Sequence, residues 1–276
     1  MIRPFSKMHG LGNDFIVFDA TSEAVDLSTD KIRQLANRHF GIGFDQMLLV
    51  EPPRNSDTEF YYRIFNADGS EVEQCGNGAR CFARFVNEKK LSDNSVLNVG
   101  TASGNITLYL EADDQVRVNM GTPVFAPADI PLDIVQQQAD YPVTIDNQEL
   151  RFMSVSMGNP HAVLRVDDVA TAPVEIIGPI LESHPLFPQR VNVGFLTVKD
   201  RNAIDLRVFE RGSGETLACG TGACAAVVCG QQQGWLDETV QVSLPGGQLT
   251  IQWQGDNNPV WMTGPAEFVF EGEVDL

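Results

Sequence analysis

The sequence predicts a strand-rich α+β fold made of two homologous halves, and three observations carry that expectation. Short β-branched or alternating apolar runs outnumber helical patterns along the chain. The five cysteines fall in two clusters half a chain apart, CGNGARC from Cys75 and CGTGAC from Cys219. Residues also recur at a nearly constant interval: Gly12 and Asn13 answer Gly158 and Asn159, and Gln46 answers Asn192. Asn66 answers Glu210, Cys75 answers Cys219, Gly104 answers Gly247 and Gly121 answers Gly264. The interval drifts smoothly by three residues, as small loop insertions between two copies of one domain would make it do.

The runs 15–18, 47–50, 60–65, 106–110, 116–120, 162–166, 204–209, 240–244 and 249–253 read as strands. Turn residues separate them, among them Asp68 with Gly69, Asp113 with Asp114, Asp146 with Asn147 and Gly246 with Gly247. Residues 29–40 read as a helix, with Ser28 or Thr29 as its cap and Ile32, Leu35 and Ala36 on one face. Residues 76–90 and 220–233 read as helices opened by glycines. The halves are placed at 1–119 and 120–265. Two pseudo-symmetric domains would turn equivalent residues toward a shared cleft, a preferred place for ligands.

Length supports this reading, since 276 residues correspond to about two domains. Nineteen Lys and Arg against 37 Asp and Glu leave a net charge of −18. Such a chain repels phosphate backbones and anionic membrane surfaces, so neither nucleic acid nor membrane is an expected partner. The first twenty residues carry Arg3, Lys7, Asp14 and Asp19 without an apolar core, and no apolar run approaches 18 residues. A cytoplasmic location is therefore expected, and the odd cysteine number argues against a secreted disulfide framework.

Cys75 and Cys219 each stand just before a Gly-x-Gly turn that opens a helix. Unpaired amides and the helix dipole at such an end favour negative charge. A thiol there is expected to ionise more easily than the ordinary value of about 8.5. The amides of Gly76, Asn77, Gly220 and Thr221 could cradle a carboxylate. With a substrate carboxylate between two such ends, one thiolate could remove the α-proton while the opposite thiol protonates the other face. That is stereoinversion, and it calls for no metal or coenzyme.

Other readings compete. Most cysteines are small buried hydrophobes, which suits Cys81, Cys224 and Cys229 in apolar helical stretches. Zinc wants shorter Cys-x-Cys intervals and four ligands, a Walker loop is absent, and so is Cys-x-x-Cys. His161, two residues after Asn159, and Glu210, nine before Cys219, could tune a thiol or be structural. His9, His39 and His184 read as structural, and Arg80 and Arg84 as a solvated or ion-paired face.

Five blocks then carry a resemblance: MHGLGNDF from Met8, FNADGSEVEQCGNGARC from Phe65, MGNPHAV from Met157, VNVGF from Val191 and ERGSGETLACGTGAC from Glu210. Together they resemble the diaminopimelate epimerase family, whose members interconvert LL- and meso-diaminopimelate without a cofactor, on the route to lysine and peptidoglycan precursors. The resemblance implies that Cys75 and Cys219 are the catalytic pair, the first donating and the second accepting a proton for the LL substrate. It implies that His161 and Glu210 modulate thiol ionisation. It makes Asn13, Gln46, Asn66, Asn159, Asn192, Glu210 and Arg211 substrate contacts, with Gly76, Asn77, Gly220 and Thr221 as carboxylate cradles. The implied fold is two barrel-like sheets, each around a central helix, with the site between them and a last strand, 266–276, returning to the first domain. A homodimer is implied, with Phe270 standing where the family's contact tyrosine would be. Two alternatives stay open: another cysteine-pair racemase of the proline or hydroxyproline type, and a non-catalytic thiol redox or binding protein.

Overall fold

The computed structural model describes residues 1–72 and 75–276; Glu73 and Gln74, inside the block that begins at Phe65, lie outside the described residues. The strands run in order β1 (Ile2–Gly10), β2 (Asn13–Asp19), β3 (Gln46–Glu51), β4 (Phe60–Asn66), β5 (Glu71–Val72), β6 (Val96–Thr101), β7 (Gly104–Leu110) and β8 (Gln115–Asn119). They continue as β9 (Tyr141–Ile145), β10 (Gln148–Ser156), β11 (Pro160–Arg165), β12 (Asn192–Asp200), β13 (Ala203–Glu210), β14 (Gly214–Thr216), β15 (Thr239–Leu244), β16 (Gly247–Gln252), β17 (Trp261–Pro265) and β18 (Glu267–Asp275). The helices are α1 (Thr29–Ala36), α2 (Gly76–Glu88), α3 (Val174–Glu182) and α4 (Gly220–Gln232). None is long and apolar enough to cross a membrane.

The chain divides into two compact units, Met1–Asn119 with Gly264–Leu276, and Met120–Thr263. In the first unit the ladder runs β18-β1-β2-β3-β4-β6-β7-β8. Its β2–β3 and β4–β6 pairs are parallel and the rest antiparallel. In the second unit the ladder runs β9-β10-β11-β12-β13-β15-β16-β17, with parallel pairs at the matching places, β11–β12 and β13–β15. The repeat read from the residue interval is thus a repeat of topology.

Each sheet curls about one helix. Strands from both ends of the first ladder, β1 and β8 included, touch α2, while β10 to β13 and β16 touch α4. Helix α4 is apolar all round, and Ala223 to Val228 are fully buried, as a helix enclosed on every side requires. Burying Val227 and Val228 contributes about 1.5–3 kcal/mol each. A second helix covers the outer face of each sheet: Ile32 and Leu35 of α1 pack on Ile16, Phe18, Met47 and Leu49. Val174 and Leu181 of α3 pack on Val193 and Phe195. With both faces covered, strands such as β2 read as continuous apolar runs rather than alternations.

Helix α3 has no counterpart among the helices expected from sequence. Pro179 and Gly178 interrupt its middle and isoleucines fill it, a composition that argues against a helix. Packing overrides it: a Cβ on Gly178 would lie 2.6 Å from the Phe209 ring, so the helix rests directly on β13. The hairpin turn at Asp146 and Asn147 does follow expectation, both residues taking the left-handed backbone (φ 49° and 63°) of a two-residue connection.

Candidate active site

Both central helices begin at a cysteine. Cys75 caps α2 in extended backbone, its carbonyl accepting from Ala79 N–H at 2.8 Å; Cys219 caps α4 likewise, accepting from Ala223 at 2.9 Å. A cysteine offers no capping oxygen, so the first-turn amides sit where a helix ordinarily receives an anion. The third residue of each helix is a glycine because the sheet comes too close for a side chain. A Cβ on Gly78 would meet the Tyr62 hydroxyl at 2.5 Å, and one on Gly222 would meet Val208 at 3.0 Å.

In the first unit, Asn13 opens β2 beside this helix end. Its Oδ1 accepts from Asn77 Nδ2 at 3.2 Å and from the Cys75 thiol at 3.8 Å. Its Nδ2 donates to Asp45 Oδ2 at 3.1 Å. Asp45 is tied to Arg38 at 2.7 Å, and Arg38 forks onto both oxygens of Asp14 at 2.7 and 2.9 Å. Buried Lys7 completes the cluster, donating to Asp14 at 2.5 Å and to the Gly43 carbonyl. Burial opposes charge on Asp14, but the hydrogen bonds from Arg38 and Lys7 prevail and hold its carboxyl well below the usual range. Across the β3–β4 ladder, Gln46 donates to Asn66 at 2.9 Å, and Asn66 donates to Ser70 at 3.1 Å. The Gln46 Oε1 atom is buried and has no hydrogen-bond partner among the described residues, an acceptor available to a ligand.

Two residues are buried beneath this end, and the first departs from expectation. Arg80 is fully buried, donating to the Pro265 carbonyl at 3.0 Å and to the Gly76 carbonyl at 3.4 Å, so it braces the first turn of α2 from inside. The expected solvated or ion-paired face holds for Arg84 alone, which pairs with Asp114 at 2.7 Å. Tyr62 is buried with its hydroxyl beside the Cys75 backbone amide, and burial together with the neighbouring thiol pushes its ionisation well up.

In the second unit, Asn159 Oδ1 faces His161 Nε2 at 3.0 Å and its Nδ2 donates to Thr221 Oγ1 at 3.3 Å. That network assigns the proton to Nε2. The Thr221 hydroxyl lies 3.6 Å from Cys219 Sγ. Burial, reinforced by the charge of Arg211, pulls His161 down to about 3, so it stands neutral, linked to the thiol through Asn159 and Thr221. Glu210 takes a 2.5 Å hydrogen bond from Thr216 and also faces the Cys219 thiol. Asn192 is buried with both amide ends committed, Nδ2 to the Pro160 carbonyl at 3.1 Å and Oδ1 to Arg211 N–H at 2.9 Å. The exposed Arg211 guanidinium donates to the Gln189 carbonyl at 3.3 Å. Glu182, at the end of α3, accepts from Gly212 N–H at 2.7 Å and so pins the turn that carries Arg211.

Cys219 corrects the simple helix-end expectation. Burial first, and then the Glu210 carboxylate, push its thiol well above the ordinary range. The Thr221 hydroxyl and the Gly222 amide pull the other way without prevailing. A charge at a helix start gains about 0.3–1 kcal/mol, less than desolvating a thiolate beside a carboxylate costs. Cys81, Cys224 and Cys229 are packing residues inside the helices, and burial pushes Cys81 up to about 12.

The sequence-derived residues gather into two groups. Asn13, Gln46, Asn66, Gly76 and Asn77 belong with Cys75; Asn159, His161, Asn192, Glu210, Arg211, Gly220 and Thr221 belong with Cys219. Phe270 lies apart on β18, half exposed and edge-on to Phe5 at 6.0 Å. Sequence reasoning missed Lys7, Asp14, Arg38, Asp45, Tyr62 and Glu182; only Asp14 and Asp45 had a signal, adjacency to Asn13 and Gln46.

The family model described as diaminopimelate epimerase matches residues 5–126 and 153–269. Among curated relatives, the diaminopimelate epimerases of Stutzerimonas stutzeri (strain A1501) and Pseudomonas entomophila (strain L48) are 56% and 57% identical, each over all 276 residues and the whole of the relative. Among solved structures, a hydroxyproline epimerase from Agrobacterium vitis shares the fold at 16% identity and a TM-score of 0.72. That match covers 99% of this chain and 92% of that one.

Proposed function

The chain belongs to the diaminopimelate epimerase family and epimerises diaminopimelate, and we propose that it does so by two-base proton transfer between Cys75 and Cys219. The observation that carries this mechanism is the duplication itself: the same ladder in each unit, with the same cysteine heading the same enclosed helix.

The chemistry follows from each cysteine's neighbours. While Glu210 is charged it holds the Cys219 thiol protonated. When the substrate enters, Glu210 takes that proton and loses its charge, leaving a thiolate that removes the α-proton of the substrate. Cys75, whose sulfur faces an acceptor on Asn13, carries its proton to the opposite face of the α-carbon. In the reverse direction the two exchange tasks. First-turn amides of α2 and α4 receive the substrate carboxylate and stabilise negative charge developing beside it. Arg211 pairs with the distal carboxylate, and Gln46 Oε1 accepts from a substrate ammonium group. A shorter amino acid would leave these groups unpaired.

This reading includes a step toward lysine and peptidoglycan precursors, a cytoplasmic location and a homodimer that covers Phe270. Reduced protein in deuterium oxide with LL-diaminopimelate should place deuterium at the inverted α-carbon, and proline should acquire none. Absence of α-deuterium in diaminopimelate sinks the mechanism, whereas turnover of proline would favour the racemase alternative.

A further inference from the structure

The Asn13 carboxamide can face Cys75 with either end, and a residue outside the expected site decides which. Its Nδ2 is given to Asp45 Oδ2 at 3.1 Å, and a carboxylate has nothing to donate in return. Turning the amide over would set Oδ1 against Asp45 Oδ2, and Nδ2 against Asn77 Nδ2, which now donates at 3.2 Å. Both neighbours therefore demand the same orientation.

Asp45 is itself held. Oδ1 takes the Arg38 guanidinium at 2.7 Å, Oδ2 also takes Asp14 N–H at 3.1 Å, and its own amide donates to Asp14 Oδ1 at 2.9 Å. The parallel pairing of β2 with β3, Phe15 opposite Gln46, sets Asn13–Asp14 and Asp45 side by side just ahead of the ladder. So although its side chain is partly exposed, three donors stop it from turning away.

We propose that Asp45 is a positioning residue: by fixing the Asn13 amide it keeps an acceptor, rather than a donor, on the Cys75 sulfur. An acceptor at sulfur favours the thiol over the thiolate. Asp45 thereby holds the proton on Cys75 that the epimerisation needs there, a consequence that rests on the two-base reading above. The Asp14 carboxylate is taken by Arg38, Lys7 and the Asp45 amide, so it belongs to the support of the cluster and not to the orienting contact.

The test is thiol ionisation read without turnover. The full chain, reduced, is labelled with iodoacetamide across pH, and the Cys75 and Cys219 peptides are quantified by mass spectrometry. In Asp45→Leu, which has no acceptor to hold Asn13 Nδ2, the Cys75 labelling midpoint should fall by about one pH unit, as the freed amide can turn a donor toward sulfur. In Arg38→Met, which leaves Asp45 in place without its anchor, the midpoint should fall by less. In Asp14→Asn, which keeps an acceptor for the Asp45 amide, it should stay put, as should Cys219 in all three. An unchanged Cys75 midpoint in both Asp45→Leu and Arg38→Met overturns the proposal, and so does an equal shift in Asp14→Asn. Should Asp45→Leu fail to fold, Arg38→Met alone decides. A shifted midpoint in the variants, with no α-deuterium exchange in the unsubstituted chain, upholds Asp45 and overturns the two-base reading instead.

Discussion

Asn13 and Asn159 stand at matching places in the two units, yet they face their helix ends with opposite atoms. Asn13 is held by a carboxylate and turns Oδ1 to Cys75 and Asn77; Asn159 is held by an imidazole and turns Nδ2 to Thr221, which touches Cys219. The residues that impose this are not repeated. At the repeat interval, Asp45 corresponds to the buried Val191 and His161 to the buried Phe15. Duplication supplied two alike scaffolds, and one substitution beside each asparagine gave the two cysteines different surroundings. A two-base epimerase needs that difference, because one thiol must start with its proton and the other must be able to lose it.

The strongest way to break the comparison is to remove each sulfur in turn. Cys75→Ala and Cys219→Ala should each lower turnover by about a thousandfold or more, since the proposed two-base transfer uses both thiols in either direction. A variant that kept a tenth of the activity would mean that only one cysteine works.

Thr221→Val sharpens it next. The hydroxyl pulls the Cys219 thiol down, against burial and Glu210, so its loss should raise the Cys219 labelling midpoint. The acid limb of the pH–rate profile should move up with it, and kcat/KM at neutral pH should fall about tenfold. Thr221 bonds Cys219 and belongs to the second unit, so the Cys75 midpoint should not move. A common shift in both cysteines would show that their surroundings are coupled rather than distinct.

His161 separates the units by stability. Buried and neutral, it binds its proton only near pH 3 in the folded chain, against 6.5 in the unfolded one. Above pH 6.5 neither state is protonated and the residue costs nothing. As pH falls below 6.5 the unfolded chain takes a proton that the native one refuses, so stability declines by about 2 kcal/mol between pH 6.5 and 5. His161→Gln should flatten that decline in urea titrations at several pH values. An equal slope in both proteins would place the acid sensitivity elsewhere.

What could be read from residues alone follows from what each feature depends on. The two enclosed helices and their cysteines were legible because Gly-x-Gly, an apolar run and a constant interval are local signals. Helix α3 was not, because its stability lies in packing of Val174 and Leu181 on β12, while Pro179 speaks locally against it. The asparagines, Gln46 and Glu210 could be listed, but not the roles that their partners assign. Asn192 spends both amide ends on backbone, and His161 acts through Asn159, facts settled by hydrogen bonds between segments brought together only by the sheet. Arg80 was misread because charge usually marks surface; it lies buried because backbone carbonyls, invisible in sequence, receive it.

The smallest expected effect returns to the same polarity contrast, one turn further along each ladder. In the first unit the turn after β4 is held by Arg33 of α1, which donates to the Asp68 carbonyl at 2.8 Å. In the second, the turn after β13 is held by Glu182 of α3, which accepts from Gly212 N–H at 2.7 Å and pairs with Arg190 at 3.4 Å. A cation on a carbonyl is thus replaced by an anion on an amide, and the turn so held carries Arg211, the group assigned to the distal carboxylate. Glu182→Ala should loosen that turn without touching either thiol. KM for diaminopimelate should then rise about three- to tenfold, or about 0.7–1.4 kcal/mol, with kcat within about twofold. Glu182→Gln, which keeps an acceptor for Gly212, should recover most of the loss. Arg33→Ala, the matching change in the first unit, should leave KM nearly unaltered because its turn carries Ala67 where the other carries Arg211. If Arg33→Ala raised KM as much as Glu182→Ala, the effect would lie in general stability and the assignment of Arg211 would lose its support.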